Sequence, residues 1–309
     1  MPSEFELIAR YFSRAPAHSL RGVGDDAALV RVAPDVDLAV STDALQEGRH
    51  FAPGAEARAL GHKALAVNLS DMAATGATPR WATLALALPA ADERWLAAFA
   101  EGFYGLAARF GVDLVGGDTS RGPLTICVCI LGEVPRGRAL SRGGARTGDE
   151  IWVSGALGGA ALALQRPEVA AAAKRLHEPE PRVLLGERLR GVASAAIDVS
   201  DGFAQDLGHI LERSKVGAEV VYSHLPQDPS LEKFKGTALE RQCVLSGGDD
   251  YELIFTAPPQ KRGQIEALRA ELSLALSRVG VIEGRDGKLA IMDEKGNPIS
   301  FAHGYDHFA

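Results

Sequence analysis

Six short segments set aspartate beside glycine, serine or threonine: Gly24-Asp25-Asp26, Ser41-Thr42-Asp43, Ser70-Asp71, Gly117-Asp118-Thr119, Asp198-Val199-Ser200-Asp201-Gly202 and Gly248-Asp249-Asp250. Nearly all follow an apolar run that reads as a strand. Asp and Gly are ordinary turn formers, and one such cluster alone would mean only a turn. Six in one chain carry more, because carboxylates gathered at strand ends repel one another unless a cation lies between them. Hard oxygen donors suit Mg²⁺, which binds at about 2.0 to 2.1 Å, keeps waters and is completed by phosphate oxygens. An acidic pocket alone rejects a polyphosphate. With Mg²⁺ it attracts one and neutralises charge developing on a transferred phosphoryl group. The acids point to a nucleotide enzyme.

Glycines beside the acids would let backbone N–H groups approach phosphate, at Gly116-Gly117, Gly155 to Gly159 and the Asp201-Gly202 helix start. Arg121 and Arg142 are candidates for direct phosphate contact through the guanidinium fork, and equally suit a solvated surface. His50, in Glu47-Gly48-Arg49-His50-Phe51, is as well placed to reach a substrate as to serve structure. His62, His177, His209 and His224 lack ligand spacing. The Gly-x-x-x-x-Gly-Lys-Ser/Thr loop and the His-Arg-Asp kinase signature are both absent. No Ser/His/Asp or Cys/His arrangement stands out, so direct transfer without a covalent nucleophile or general base is expected.

These residues need a scaffold. At 309 residues the chain exceeds the size of one ordinary core, so two domains are expected. The composition, 46% hydrophobic and 24% charged, is that of a globular protein, and no apolar run reaches the roughly 18 residues of a membrane span. A net charge of -7 argues against a nucleic-acid partner. Three cysteines imply neither a disulfide framework nor a zinc site. The N-terminus carries acids where a secretory signal carries bases, so a cytoplasmic location is expected.

Ser3 and Glu6 form a capping box before a short helix. Residues 27–32 and 36–42 read as strands, 56–75 as a helix carrying Asn68 and Asp71, and 81–88 as a strand. A helix over 91–110, a strand over 112–115 entering Gly116-Gly117-Asp118, and an apolar strand over 124–134 follow. Cys127 and Cys129 sit in that last strand, which reads as buried. The Arg- and Gly-rich stretch 136–148 marks a boundary near residue 140. Beyond it come strands at 151–154, 195–199 and 251–255, and helices at 160–164, 182–190 and 203–213. The expectation is an α/β (α+β) protein with domains over 1–140 and 141–309.

Seven blocks in order along the whole chain resemble the thiamine-monophosphate kinase family. They are Gly22-Val23-Gly24-Asp25-Asp26-Ala27-Ala28, Ser41-Thr42-Asp43 with Glu47-Gly48-x-His50-Phe51, and Asn68-Leu69-Ser70-Asp71-Met72-Ala73-Ala74-Thr75-Gly76-Ala77. The others are Gly116-Gly117-Asp118-Thr119, Ile197-Asp198-Val199-Ser200-Asp201-Gly202, Ser246-Gly247-Gly248-Asp249-Asp250-Tyr251-Glu252 and Gly304-Tyr305-Asp306-His307-Phe308. The resemblance implies a two-domain fold similar to aminoimidazole-ribonucleotide synthetase. Its N-terminal sheet domain would dimerise, and its C-terminal α/β domain would complete a cleft for ATP. It implies a homodimeric kinase that phosphorylates thiamine monophosphate to thiamine diphosphate with ATP as co-substrate and several Mg²⁺ ions. Asp26, Ser41, Thr42, Asp43, Asp71, Asp118, Asp198 and Asp201 would serve the metal. Gly117, Asp118, Arg142 and Ser200 would contact ATP, and His50 and Asp249 would face thiamine monophosphate. The family often has Glu at position 249 and an aromatic at position 302, where this chain has Ala302, leaving Phe301 or Tyr305 to stack on the thiamine rings.

Two relatives of that fold fit less well. A selenophosphate synthetase would show an early reactive cysteine, and no cysteine precedes Cys127. A hydrogenase-maturation relative would end in a cysteine-bearing tail, and this chain ends His307-Phe308-Ala309. Aminoimidazole-ribonucleotide synthetase itself, or a non-catalytic nucleotide- and metal-binding regulator, completes the alternatives.

Overall fold

A computed structural model describes residues 3–24, 26–284, 287–302 and 304–305. Asp25 and the closing Asp306-His307-Phe308, quoted above for the resemblance, lie outside them. The chain divides into two compact units, Met1–Met72 with Ala77–Gly137, and Ala73–Gly76 with Arg138–Ala309.

In the first unit the Ser3 hydroxyl accepts from the Glu6 N–H and the Glu6 carboxylate accepts from the Ser3 N–H, which starts α1 (Glu4–Leu7). A π-helical turn, Ile8–Phe12, follows directly. Strands β1 (Ser19–Arg21) and β2 (Leu29–Val30) pair antiparallel. Then come β3 (Val36–Gln46), α2 (Ala57–Thr75), β4 (Thr78–Leu88), α3 (Glu93–Phe110), β5 (Asp113–Arg121) and β6 (Thr125–Pro135). The four long strands form one sheet in the order β3-β6-β4-β5, antiparallel except for the β4–β5 pair, whose crossover is α3. Helix α3 starts at Asp92, whose carboxylate accepts from the Arg94 and Trp95 N–H groups, and stops at Gly111 with φ 65°. Helices α2 and α3 touch backbone to backbone. A Cβ on Gly102 would lie 1.8 Å from the Arg58 carbonyl oxygen, and one on Gly61 2.0 Å from that of Phe99.

Alternation divides this sheet into unlike faces. Ile126, Val128, Ile130, Leu84 and Leu86 are buried on one. On the other, Leu38, Val40, Thr42 and Ala44 are exposed and Cys127 and Cys129 half-buried, so β6 is buried on one side only. Both β3 and β5 run further than expected. Ladder pairing carries β3 through Ser41-Thr42-Asp43 and carries β5 past its glycines, pairing Leu84 with Gly117 and Ala85 with Asp118. Asp43 and Asp118 therefore lie inside strands rather than after them.

The second unit contains β7 (Glu150–Ser154), α4 (Gly159–Gln165), α5 (Ala170–His177), α6 (Val183–Leu189), β8 (Ala195–Asp198), α7 (Phe203–Ser214) and β9 (Gly217–Val221). It continues with α8 (Ala238–Ser246), β10 (Leu253–Ala257), α9 (Arg262–Leu272), β11 (Leu276–Glu283) and β12 (Leu289–Met292). These strands form a mixed sheet in the order β12-β9-β11-β7-β10-β8. Strands β7, β8 and β10 are buried along their whole length, as expected for a sheet covered on both faces. Ile151, Ile197 and Ile254 join α4, α7 and α8 in one core cluster through Leu162, Leu207 and Val244. Trp152 stacks on Phe255 at 6.4 Å. The α/β class with two sheet-bearing units is the architecture expected from the sequence.

Candidate active site

On the helix-facing side of the first sheet, the Ser41 hydroxyl of β3 donates to the Asp71 carboxylate of α2 at 2.5 Å. Asp43, two residues along the same face, has its carboxyl pushed up to about 6, first by burial and then by the charge of Asp71. Ser41, Asp43 and Asp71 thus form one cluster. Thr42 does not join it. Alternation turns its side chain to the opposite face, where it pairs with Cys129, so only its backbone could contribute.

Asp26, Gly117 and Asp118 meet elsewhere, on the wall of a cavity of about 600 Å³ that Phe5, Ile8 and Leu114 also line. The cavity joins an acidic, glycine-bounded wall to an apolar one, a shape suited to the phosphate and base of a nucleotide. Strands β3 and β5 are the two outer strands of the sheet. Three interstrand spacings, roughly 14 Å, separate them, too far for one ion to be shared by Asp43 and Asp118 of the same chain.

In the second unit, β8 delivers Asp198 into the turn Val199-Ser200-Asp201-Gly202 before α7. Asp198 is buried, and Ser200 and Asp201 are half-buried. The loop carrying Asp249 is laced to this turn: the Asp249 N–H donates to the Ser200 carbonyl and the Tyr251 N–H to the Val199 carbonyl, while the Val199 N–H donates to the Glu252 carbonyl, at 2.8 to 2.9 Å. Asp198, Ser200, Asp201 and Asp249 are therefore brought together. The last described residues cross the same turn. The Tyr305 N–H donates to the Asp201 carbonyl, the Gln205 amide donates to the Tyr305 carbonyl, and the Ser246 hydroxyl donates to the Ala302 carbonyl. Phe301 and Tyr305 are both exposed, so each remains a candidate to stack on a ring.

Among the described residues no three acidic, histidine or cysteine side chains converge as a ready-made metal cage. Pairs of carboxylates are nonetheless the usual protein share of a Mg²⁺ site, substrate phosphates and water supplying the rest. An aspartate held against another, with its proton affinity raised, is the electrostatic environment that a divalent cation relieves. The donor sets present thus fit Mg²⁺.

The AIR synthase related protein models match along most of the chain, the N-terminal domain over residues 24–134 and the C-terminal domain over 146–292. The thiamine-monophosphate kinase of Escherichia coli (strain K12) is 43% identical over 327 residues, covering 99% of this chain and 98% of its own. The chain belongs to the thiamine-monophosphate kinase family. Two solved structures agree. The thiamine-monophosphate kinase of Stenotrophomonas maltophilia K279a is 45% identical with a TM-score of 0.86 over 95% of each chain. AaThiL, solved in complex with AMPPCP and TMP, is 31% identical with a TM-score of 0.78 over 93% of this chain and 92% of its own.

Within this family member several residues differ from their sequence reading. The Gly155 to Gly159 turn is not open to phosphate: the Gly155 N–H donates to Ala275, that of Leu157 to Pro226 and that of Gly158 to the Asp250 carboxylate at 2.7 Å. Asp250 faces inward, and burial holds its carboxyl well above the usual range. The Asp201-Gly202 helix start is also occupied, because one Asp206 oxygen accepts from the N–H groups of Ser200, Asp201 and Gly202 at 3.0 to 3.1 Å. Burial, then the charges of Asp198 and Asp201, push Asp206 up to about 8. Sequence reasoning missed Asp206. Its signal was an acid in the first turns of α7 reaching back to the N–H groups of the turn that precedes the helix, a capping-box relation one position late.

His50 closes the turn after β3, its Nδ1 accepting from the Gln46 N–H at 3.0 Å. Arg142 is exposed, and its turn is tied to Ser214, whose hydroxyl donates to the Arg142 carbonyl and accepts from the Gly144 and Ala145 N–H groups. Arg121 is exposed at the end of β5.

Proposed function

We propose that this protein transfers the γ-phosphoryl group of ATP to thiamine monophosphate, giving thiamine diphosphate and ADP. The observation that carries the reading is identity above 40% along nearly the whole chain to thiamine-monophosphate kinases. AaThiL, which binds an ATP analogue together with TMP, supports the same pair of substrates.

A nonbridging oxygen of thiamine monophosphate forms a bond to the γ-phosphorus as the bond to the β–γ bridging oxygen breaks, and the electron pair leaves with ADP. The attacking phosphate is already anionic near neutral pH, so no side chain has to remove a proton, and the residues act by holding both substrates in line. Asp26, Ser41, Asp43, Asp71, Asp118, Asp198 and Asp201 hold Mg²⁺, with Thr42 contributing through its backbone. When bound, Mg²⁺ neutralises the phosphate oxygens and the charge that develops between them. Gly117 and Asp118, on the cavity wall, contact ATP. Ser200 and Arg142 are carried over from the family resemblance as further ATP contacts. His50 and Asp249 face thiamine monophosphate, and the Asp249 carboxylate suits its cationic, nitrogen-rich rings.

The protein acts as a homodimer. The exposed apolar face formed by Leu38, Val40, Thr42 and Ala44 supports this, since an isolated sheet leaves such a face wet only at a cost. Among the described residues no helix is long and apolar enough to cross a membrane. The direct test is to incubate purified protein with ATP, Mg²⁺ and thiamine monophosphate and assay thiamine diphosphate, with free thiamine and aminoimidazole precursors as controls. Product from thiamine monophosphate alone is expected; its absence under these conditions refutes the reading.

A further inference from the structure

Beneath the loop that carries Asp249 lies a buried ionic hub that substrate contact alone does not explain. Glu252 is fully buried. Its carboxylate accepts from the Ser154 hydroxyl at 2.6 Å, from Arg182 Nε at 2.6 Å and a second Arg182 nitrogen at 2.5 Å, and from Arg175 at 3.2 Å. Arg175 also donates to Asp228 at 3.1 Å. The Ser154 hydroxyl in turn accepts from the Leu253 N–H, so the first residue of β10 is held by the same hub. On the Gly155 side the carboxylate leaves no room for a side chain. A Cβ on Gly155, which has φ +57°, would lie 1.9 Å from a Glu252 oxygen.

An ion cluster this deep is seldom the most stable filling for a core, because desolvation offsets much of the attraction. It does define position, since a bidentate guanidinium fixes the carboxylate in direction as well as distance. What it fixes is strained. Asp249 and Tyr251 both adopt left-handed backbone, with φ 65° and 49°, in a chain where only two other non-glycine residues among those described do so. Such conformations persist where surrounding structure over-determines them, and they collect at ligand-binding positions. The Tyr251 hydroxyl donates to the Asp249 carboxylate at 2.9 Å, so the strained pair aims that acid.

We propose that Glu252, clamped by Arg182, Arg175 and Ser154, is the positioning residue that holds the Gly247–Tyr251 loop in its strained form and so sets the Asp249 carboxylate for substrate. The inference rests on the reading of Asp249 as facing thiamine monophosphate. It makes the two guanidinium groups determinants of affinity for that substrate without touching it, and it predicts no comparable effect on ATP.

The experiment is steady-state kinetics of the full-length protein with each substrate varied in turn, for wild type, Asp249→Asn, Glu252→Gln and Arg182→Lys, each checked by thermal melting. Arg182→Lys keeps the charge and gives up the fork, so it decides the matter if Glu252→Gln does not fold. The expected result is a KM for thiamine monophosphate raised on the order of tenfold in Arg182→Lys and Glu252→Gln, with the KM for ATP within about twofold of wild type. A merely structural role would move both constants together or neither. Either outcome in Arg182→Lys overturns the proposal. If Asp249→Asn raises the KM for thiamine monophosphate and Arg182→Lys does not, only the anchoring role fails. If Asp249→Asn leaves that KM unchanged, the reading of Asp249 fails and takes the inference with it.

Discussion

Asp43 offers a test in which loss of function and gain of stability come from the same charge. Burial and the neighbouring Asp71 raise its carboxyl from 3.8 to about 6. At about 1.4 kcal/mol for each pH unit of displacement, ionised Asp43 costs the metal-free fold about 3 kcal/mol relative to the unfolded chain. The folded protein binds this proton more tightly than the unfolded chain does. The contribution is therefore most favourable below the unfolded value of 3.8 and is lost as pH rises through about 6. Asp43→Asn removes the titration and keeps the shape. In urea unfolding of metal-free protein, the variant should gain on wild type by about 2 kcal/mol between pH 4.5 and pH 8, part of the full 3 being already present at the lower pH. Saturating Mg²⁺ should cancel the advantage by stabilising wild type, while turnover of the variant collapses. Parallel stability curves across that pH range, or wild type the more stable at pH 8 without metal, would refute the electrostatic reasoning.

Other substitutions separate site from scaffold. Asp71→Asn should lower turnover on the order of a hundredfold or more at saturating Mg²⁺ while shifting the melting midpoint little, and near wild-type turnover would remove Asp71 from the site. Gly102→Ala should destabilise the first unit by about 3 kcal/mol or more in urea unfolding, because the added Cβ meets the Arg58 carbonyl oxygen at 1.8 Å. Val40→Asp, on the exposed sheet face, should leave the circular dichroism spectrum unchanged and halve the mass found by light scattering. An unchanged mass would show that this face does not join two copies.

What the sequence alone determined is local. Alternating apolar residues marked β6, the Ser3–Glu6 pair marked the first helix, and the glycine-acid blocks carried both the family and its phosphate chemistry, because each depends on neighbours in the chain. Where an acid points is a tertiary matter. Thr42 sits between two residues of the Asp71 cluster and faces away from them only because β3 continues as a paired strand. Asp250, adjacent to Asp249, turns inward to the Gly158 N–H, and Asp206 takes the three N–H groups that a sequence reading offers to phosphate. Residues 154, 175, 182 and 252 are scattered along the chain, and nothing in their local context unites them. They meet because β7 and β10 are paired in the sheet and a buried carboxylate needs donors from whatever elements close over it.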